Sequence, residues 1–128
     1  MRWRRTGCRV APGILLACVL AGLPARGQDV AAGEQVFKSQ CSACHGTDAR
    51  NRVGPGLKGL FGRASGSVPG FSYSTANRDK HIVWSAETLD PYLKAPRQII
   101  PGTRMAYAGL ADDKRRADLI AFLGHATK

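Results

Sequence analysis

Cys41, Cys44 and His45 form a C-x-x-C-H motif, the group of residues in this 128-residue chain best suited to chemistry. Two thiols at this spacing lie within one helical turn, so each can add to one vinyl group of a single haem. The imidazole of the next residue can then ligate the iron. We therefore predict one covalently attached haem c, bound through Cys41 and Cys44, with His45 as a metal ligand.

The first 27 residues have the layout of a cleaved signal peptide. Basic residues precede an apolar run from Val10 to Leu23, and small residues follow it. The run has about 14 residues and contains proline and glycine, whereas a membrane-spanning helix needs about 20 residues. An uncleaved membrane anchor is the alternative. Cleavage after Gly27 predicts an exported mature domain of residues 28–128 without stable membrane insertion.

Cleavage would also leave only the two cysteines of the motif out of four in the chain. A zinc site needs about four ligands, and no second cysteine pair is available to supply them. A disulfide framework needs more cysteines, and a thioredoxin-like dithiol follows a strand in a βαβ pattern that this sequence lacks. The cysteine pattern therefore favours a protein with a single haem.

The charge of residues 28–128 is moderately positive. Five of the 19 Lys and Arg residues come before residue 28, which leaves 14 against nine Asp and Glu and a formal net charge of +5. Aromatic and basic residues are not interleaved as they are in proteins that bind single-stranded nucleic acid. We expect docking to acidic surfaces of other proteins, and no nucleic-acid partner.

Met105 is the candidate for the second iron ligand. It is the only methionine after Met1 and lies 60 residues beyond His45, on a loop that contains proline and glycine. A thioether opposite an imidazole favours ferrous iron and raises the reduction potential, which suits an electron carrier. A gap-filling core methionine is the ordinary alternative, and His81 and His125 are the rival ligands.

Trp84, Tyr73 and Arg63 are candidates for contact with the two haem propionates. A buried indole N–H or phenol O–H needs a hydrogen-bond acceptor, and a carboxylate is a good one. A guanidinium can pair with the same carboxylates. The ordinary alternative for the two aromatic residues is a place in the hydrophobic core.

The pattern of apolar residues and helix caps predicts an all-α domain. We expect helices from Asp29 to about Gln40, around residues 75–79, from Ser85 to Lys94 or Ala95, and from near Asp112 to about Ala126. Residues 46–72 and 96–109 are predicted to be loops. So long an irregular segment in a small domain needs a group to surround, and a haem would serve.

Individual residues sharpen these expectations. Gly33 lies inside the first helix, where glycine is unfavourable, so we expect another helix to approach it closely. Pro91 lies inside the middle helix, where it should cause a kink or a shortened first segment. The apolar stripe of the last helix predicts that Lys114, Arg115 and Arg116 face solvent.

Taken together, residues 28–128 resemble the class I c-type cytochromes, that is, mitochondrial-type cytochromes c and their bacterial periplasmic relatives. The resemblance rests on C-S-A-C-H at 41–45, G-P-G-L at 54–57, G-L-F-G-R at 59–63, P-G-F-S-Y at 69–73 and I-P-G-T before Met105. It implies a small single-domain cytochrome c fold, with terminal helices packed across each other and long loops around one covalent haem.

The resemblance also implies roles for individual residues. The carbonyl of Pro55 would accept a hydrogen bond from the imidazole of the iron ligand. Tyr73, Trp84 and Arg63 match positions that anchor a propionate. Tyr92, Asn77 and Thr103 match positions around the methionine ligand and a buried water. The eukaryotic members carry lysines at the exposed haem edge, whereas the corresponding residues of this chain are Gln40, Arg50, Arg52, Arg97 and Arg104.

These features together predict a soluble, monomeric, non-enzymatic electron carrier of the bacterial periplasm. Its expected partners are redox complexes with acidic docking surfaces: a quinol-oxidising cytochrome complex, an oxidase, a reaction centre, a peroxidase or a dehydrogenase. One alternative is an electron-accepting subunit dedicated to a single periplasmic dehydrogenase. Another is a haem peroxidase or ligand-binding protein, which would need an open sixth position on the iron.

Overall fold

The computed structural model describes residues 27–128, which contain helices and no strand. The helices are α1 (Val30–Gln40), α2 (Thr75–Lys80), α3 (Ala86–Lys94), α4 (Pro96–Ile99) and α5 (Asp113–Ala126). The predicted all-α fold is confirmed. The predicted signal peptide lies outside the described residues except for Gly27. Within those residues, no helix has both the length and the apolar character needed to cross a membrane.

The two terminal helices begin at acidic caps. The carboxylate of Asp29 accepts a hydrogen bond from the Ala32 amide at 3.0 Å, and that of Asp112 accepts one from the Arg115 amide at 2.9 Å. An acidic side chain at this position satisfies a backbone N–H that has no partner inside the helix, and it faces the positive end of the helix dipole. The predicted starting points of both helices are confirmed.

Helices α1 and α5 pack against each other at Gly33. A β-carbon at residue 33 would lie 2.0 Å from the carbonyl oxygen of Asp118 and 2.8 Å from Cβ of Phe122, so only glycine permits this approach. One turn further along, the rings of Phe37 and Phe122 lie 5.4 Å apart. The amide of Asp29 donates to the Asp118 carboxylate at 2.8 Å. The predicted packing of the terminal helices is confirmed.

The middle of the chain narrows one prediction and corrects another. Helix α3 is capped by Ser85 and continues as one element through Pro91, which excludes a shortened first segment, whereas the alternative of a kink at Pro91 stays a prediction. Residues 96–99, predicted to be loop, form the short helix α4. Pro96 follows the end of α3 and is the first residue of α4. Proline suits this position because the N–H that it lacks would have no partner inside the helix.

Arg116 corrects the prediction for the solvent side of α5. Arg116 is only 3 % exposed, and its guanidinium donates to four acceptors. These are the carboxylates of Asp90 and Asp113, at 2.8 and 2.7 Å, and the carbonyls of Leu110 and Ala111, at 2.8 and 3.2 Å. Helical periodicity places the β-carbon at the edge of the apolar stripe, but the long side chain folds back over the loop before α5.

The long loop of residues 46–72 closes one side of the molecule. It is joined to the segment before α3 by an isolated antiparallel bridge between Ala64 and Val83. Its Leu60 enters a buried cluster with residues of α1, α3 and α5, among them Phe37, Leu93 and Leu119. This cluster forms one wall of the cavity described next.

Candidate functional site

A cavity of about 600 Å³ lies among the helices and the two loops. All eleven residues predicted to bind the cofactor or the metal line it: Cys41, Cys44, His45, Pro55, Arg63, Tyr73, Asn77, Trp84, Tyr92, Thr103 and Met105. The remaining wall is mostly aliphatic and aromatic. Cofactor sites commonly have about this size and character.

The C-x-x-C-H motif forms the turn that follows α1. Amides of Cys44 and His45 donate to the carbonyl of Cys41 at 3.0 and 2.9 Å, which places both thiols and the imidazole on one side of a single turn. Both cysteines are free and half-buried. Burial, with a smaller contribution from Cys44, raises the pKa of the Cys41 thiol to about 11. The thiol is therefore neutral at ordinary pH.

The ring of His45 is held by the loop around Pro55. Its Nδ1 lies 2.9 Å from the carbonyl oxygen of Pro55. Because a carbonyl can only accept, Nδ1 carries the proton and Nε2 keeps its lone pair. Burial lowers the pKa of the imidazole, although the Pro55 hydrogen bond opposes this effect. His45 is therefore in the neutral, metal-binding form, with Nε2 as the available donor.

Gly54 makes this arrangement of His45 sterically feasible. A β-carbon at residue 54 would lie 2.4 Å from Cε1 and 2.7 Å from Nδ1 of the imidazole. Its amide also donates to the carbonyl of Cys44 at 2.8 Å, which draws the loop against the motif. The ring is thus confined between the turn after α1 and the backbone of residues 54–55.

Met105 lies on the segment that follows α4. The hydroxyl of Tyr92 donates to its sulfur at 3.6 Å, and the hydroxyl of Thr103 accepts from its amide at 3.2 Å. Burial raises the pKa of Tyr92 to about 12, so this phenol remains a hydrogen-bond donor. Asn77, on α2, also lines the cavity. Its side-chain oxygen accepts a hydrogen bond from the hydroxyl of Ser74 at 2.9 Å.

Arg63, Tyr73 and Trp84 all line the cavity, and Trp84 is also part of the hydrophobic core, with its ring centroid 4.7 Å from that of Tyr92. Arg63 donates to the carbonyls of Lys58 and Gly56 at 2.8 and 3.2 Å, which uses two of its five N–H groups. Burial lowers the pKa of Arg63 and raises that of Tyr73. A carboxylate beside Arg63 would offset the desolvation of the guanidinium.

The rival histidines do not line the cavity. His81 is exposed at the end of α2, with a left-handed backbone conformation (φ 52°), and His125 is exposed in the last turn of α5. Within residues 27–128, no group of three His, Cys, Asp or Glu side chains is arranged to hold a metal ion. Of the predicted and rival iron ligands, His45 and Met105 line the cavity and the other two do not.

Sequence reasoning did not anticipate the contacts that secure the Met105 segment. The hydroxyl of Tyr107 donates to the side-chain oxygen of Gln40, although the two residues are 67 positions apart. The guanidinium of Arg104 donates to the carbonyls of Ser72 and Tyr73 at 3.3 and 3.2 Å. No local pattern could have indicated either contact, because each joins segments that are distant in sequence.

The residues present fit a haem c. The cavity supplies two thiols on one turn, a neutral imidazole, a thioether and an arginine with unused donors. Its walls are otherwise largely apolar, as a porphyrin requires. A soft thioether and an imidazole are the pair of axial ligands found in electron-transfer haem proteins.

Comparison with known proteins gives a consistent result. Residues 30–127 match the profile of the family described as Cytochrome c. The chain is 51% identical over 102 residues to cytochrome c2 of Blastochloris viridis, covering 78% of this chain and 80% of that protein. It is also 51% identical over 102 residues to cytochrome c of Stellaria longipes (78% and 94%), and 48% identical over 101 residues to that of Sesamum indicum (77% and 91%).

Proposed function

We propose that this chain, which belongs to the cytochrome c family, is a periplasmic single-haem electron carrier whose iron is ligated by His45 and Met105. One observation carries the proposal. His45, fixed by Pro55, and Met105, held by Tyr92, line the same cavity as the two thiols of the attachment motif.

The haem, when bound, supplies a redox centre that gains and loses one electron without transforming a substrate. The residues of the chain provide its environment. Hydrogen bonds to His45 and Met105 hold both donors in place, which keeps the structural change between oxidation states small. Arg63 offers positive charge to the propionates, and the apolar wall excludes water.

The assignment of Met105 is tested by absorption spectra and by redox titration of the purified holoprotein. The ferric wild type should show the weak far-red band of iron bound to methionine sulfur. Met105→Ala should lose this band, lower the midpoint potential and gain the ability to bind carbon monoxide when reduced. Both effects follow from removing a ligand that favours ferrous iron.

His125→Ala is the matched control, because His125 is exposed and does not line the cavity. It should leave the band and the potential unchanged. An unchanged potential in Met105→Ala would overturn the ligand assignment. Rapid cyanide or carbon monoxide binding by the wild type would instead favour the peroxidase or ligand-binding alternative.

Partners with acidic docking surfaces are proposed from the charge of the mature chain. Arg50 and Arg52 lie 2.7 and 3.7 Å from the carboxylate of Asp48, which partly neutralises them. Arg97 is exposed, and Arg104 is an exposed cation on the cavity wall. Two of the four arginines that replace the family's lysines are therefore partly neutralised by Asp48, whereas Arg97 and Arg104 are exposed.

This electrostatic proposal is tested with two small oxidants of opposite charge. Oxidation of the reduced protein by hexacyanoferrate(III) should slow as ionic strength rises, because salt screens attraction. Oxidation by tris(phenanthroline)cobalt(III) should accelerate, because salt screens repulsion. The reverse pair of trends would refute a cationic docking surface.

Export to the periplasm is proposed from the signal-peptide layout of residues 1–27. The mass and N-terminal sequence of protein purified from a periplasmic extract test it. The expected product begins at Gln28 and carries one haem. A product that retains the apolar run would support an uncleaved anchor instead. Sedimentation of the same sample tests the proposed monomer.

A further inference from the structure

The segment that carries Met105 lacks regular structure. The Thr103 amide donates to the carbonyl of Ile100 at 3.1 Å, and the Leu110 amide donates to that of Leu93 at 2.8 Å. Between them, the backbone groups of residues 104–109 form no hydrogen bond with other backbone groups of the described chain. Side-chain contacts must therefore determine how firmly this segment lies against the cavity.

Two side-chain contacts flank Met105. Arg104, the preceding residue, reaches two carbonyls of the long loop, at Ser72 and Tyr73. Tyr107, two residues further on, reaches Gln40. Gln40 is the last residue of α1 and directly precedes Cys41, whose amide donates a hydrogen bond to the carbonyl oxygen of Phe37 at 2.9 Å. The Tyr107 contact therefore joins a backbone segment without regular structure to the rigid end of a helix.

We propose that the Tyr107–Gln40 hydrogen bond is a clasp that keeps the Met105 segment closed and so limits how often Met105 leaves the iron. Tyr107 and Gln40 are thus positioning residues for the methionine ligand. The inference rests on the proposed ligand role of Met105. It concerns this chain specifically, since it needs a phenol at residue 107 and an amide at residue 40.

The expected size of the effect follows from population arithmetic. An exogenous ligand can bind the iron only after Met105 has moved away, so its apparent affinity is proportional to the open fraction of the protein. Removing a typical neutral hydrogen bond that exists only in the closed state should raise a small open fraction about two- to tenfold. Apparent imidazole affinity should rise by the same factor.

The experiment is an imidazole titration of the ferric holoprotein, followed by loss of the far-red methionine band. We expect Tyr107→Phe and Gln40→Ala each to bind imidazole about two- to tenfold more tightly than wild type. The double variant should match the stronger single variant, because both substitutions remove the same bond. Tyr107→Phe keeps the ring, so its packing is preserved.

Gln35→Ala is the matched control. Gln35 lies five positions earlier on α1, is exposed, and makes no side-chain hydrogen bond within residues 27–128. It should leave imidazole affinity unchanged. Urea unfolding of each variant provides a second readout, because a general loss of stability would lower the unfolding midpoint without the non-additive pattern in imidazole affinity.

Several outcomes would overturn the clasp. Unchanged affinity in both single variants would show that the bond survives opening or contributes nothing. Strictly additive effects would show two independent structural perturbations. A wild-type protein without the far-red band would instead refute the proposed methionine ligation itself, so failure of the clasp and failure of the proposed function are distinguishable.

Discussion

Replacing Gly33 by alanine tests whether the contact between α1 and α5 is as close as the structure indicates. The added β-carbon would lie 2.0 Å from the backbone carbonyl oxygen of Asp118 and 2.8 Å from Cβ of Phe122. A backbone carbonyl inside a helix cannot rotate away, so the two helices must separate. Separation would also stretch the 2.8 Å hydrogen bond between Asp29 and Asp118 and loosen the Phe37–Phe122 contact.

The magnitude combines two opposing contributions. Overpacking of a well-packed contact costs about 1–3 kcal/mol, and a clash with backbone places this site at the upper end. Alanine recovers about 1 kcal/mol of helix propensity relative to glycine. The net expectation for Gly33→Ala is a loss of about 2 kcal/mol of unfolding free energy. For a domain of this size that corresponds to roughly 8–16 °C in Tm.

Gly124→Ala is the matched control on the partner helix. Its β-carbon would meet only the ring of Phe61, at 3.5 Å, which is ordinary van der Waals contact. This variant should gain up to about 1 kcal/mol from helix propensity. The two glycine-to-alanine changes are therefore expected to shift stability in opposite directions.

The assay is guanidinium unfolding of the holoprotein, followed by far-ultraviolet circular dichroism, with thermal unfolding as a check. The attached haem stays with the chain in both states, so the variants share one reference. If Gly33→Ala were as stable as wild type, or rose together with Gly124→Ala, the close helix approach would be refuted as the reason for glycine at residue 33.

Two further predictions concern buried charges. A hydrogen bond from the Asp29 amide, with a smaller contribution from Lys114, holds the pKa of the Asp118 carboxyl below its usual value. The ionised carboxylate therefore stabilises the fold above about pH 4, and this contribution is lost as the pH falls through the folded-state pKa. Urea unfolding between pH 6 and pH 2 should show a shallower decline in Asp118→Asn, and identical slopes would contradict the assignment. Arg116→Lys should lose about 1–3 kcal/mol of unfolding free energy, because one ammonium group cannot donate to all four acceptors of the guanidinium and leaves buried ones such as the Leu110 carbonyl without a partner. Wild-type stability of this variant in the same assay would show that the buried network is dispensable.

Local signals in the sequence were sufficient for most of the helices. Asp29, Ser85 and Asp112 are caps whose side chains accept hydrogen bonds from amides three residues away, so their effect is visible in a short window. Gly33 indicated close approach by another helix, because glycine is otherwise unfavourable inside a helix. The residues that line the cavity were predictable mainly from the family resemblance, because residues such as Asn77 have no distinguishing local pattern.

The errors arose where contacts between distant segments decide the outcome. Arg116 was predicted to face solvent because periodicity describes only the direction of the β-carbon, whereas its acceptors lie on α3 and on the preceding loop. The prediction of a loop over residues 96–109 overlooks that proline, here Pro96, is well suited to the first position of a helix. The contact of Tyr107 with Gln40 depends on how the folded chain brings these residues together.

The two thiols on the turn after α1 also have a consequence for the denatured chain. A haem tethered at Cys41 and Cys44 cannot diffuse away when the protein unfolds, whereas Leu119 and Leu123 of the cavity wall lie more than 70 residues further along. Its recapture is then an intramolecular event, at an effective concentration on the order of millimolar. Dilution therefore does not strip the cofactor, and the rate of refolding should be independent of protein concentration.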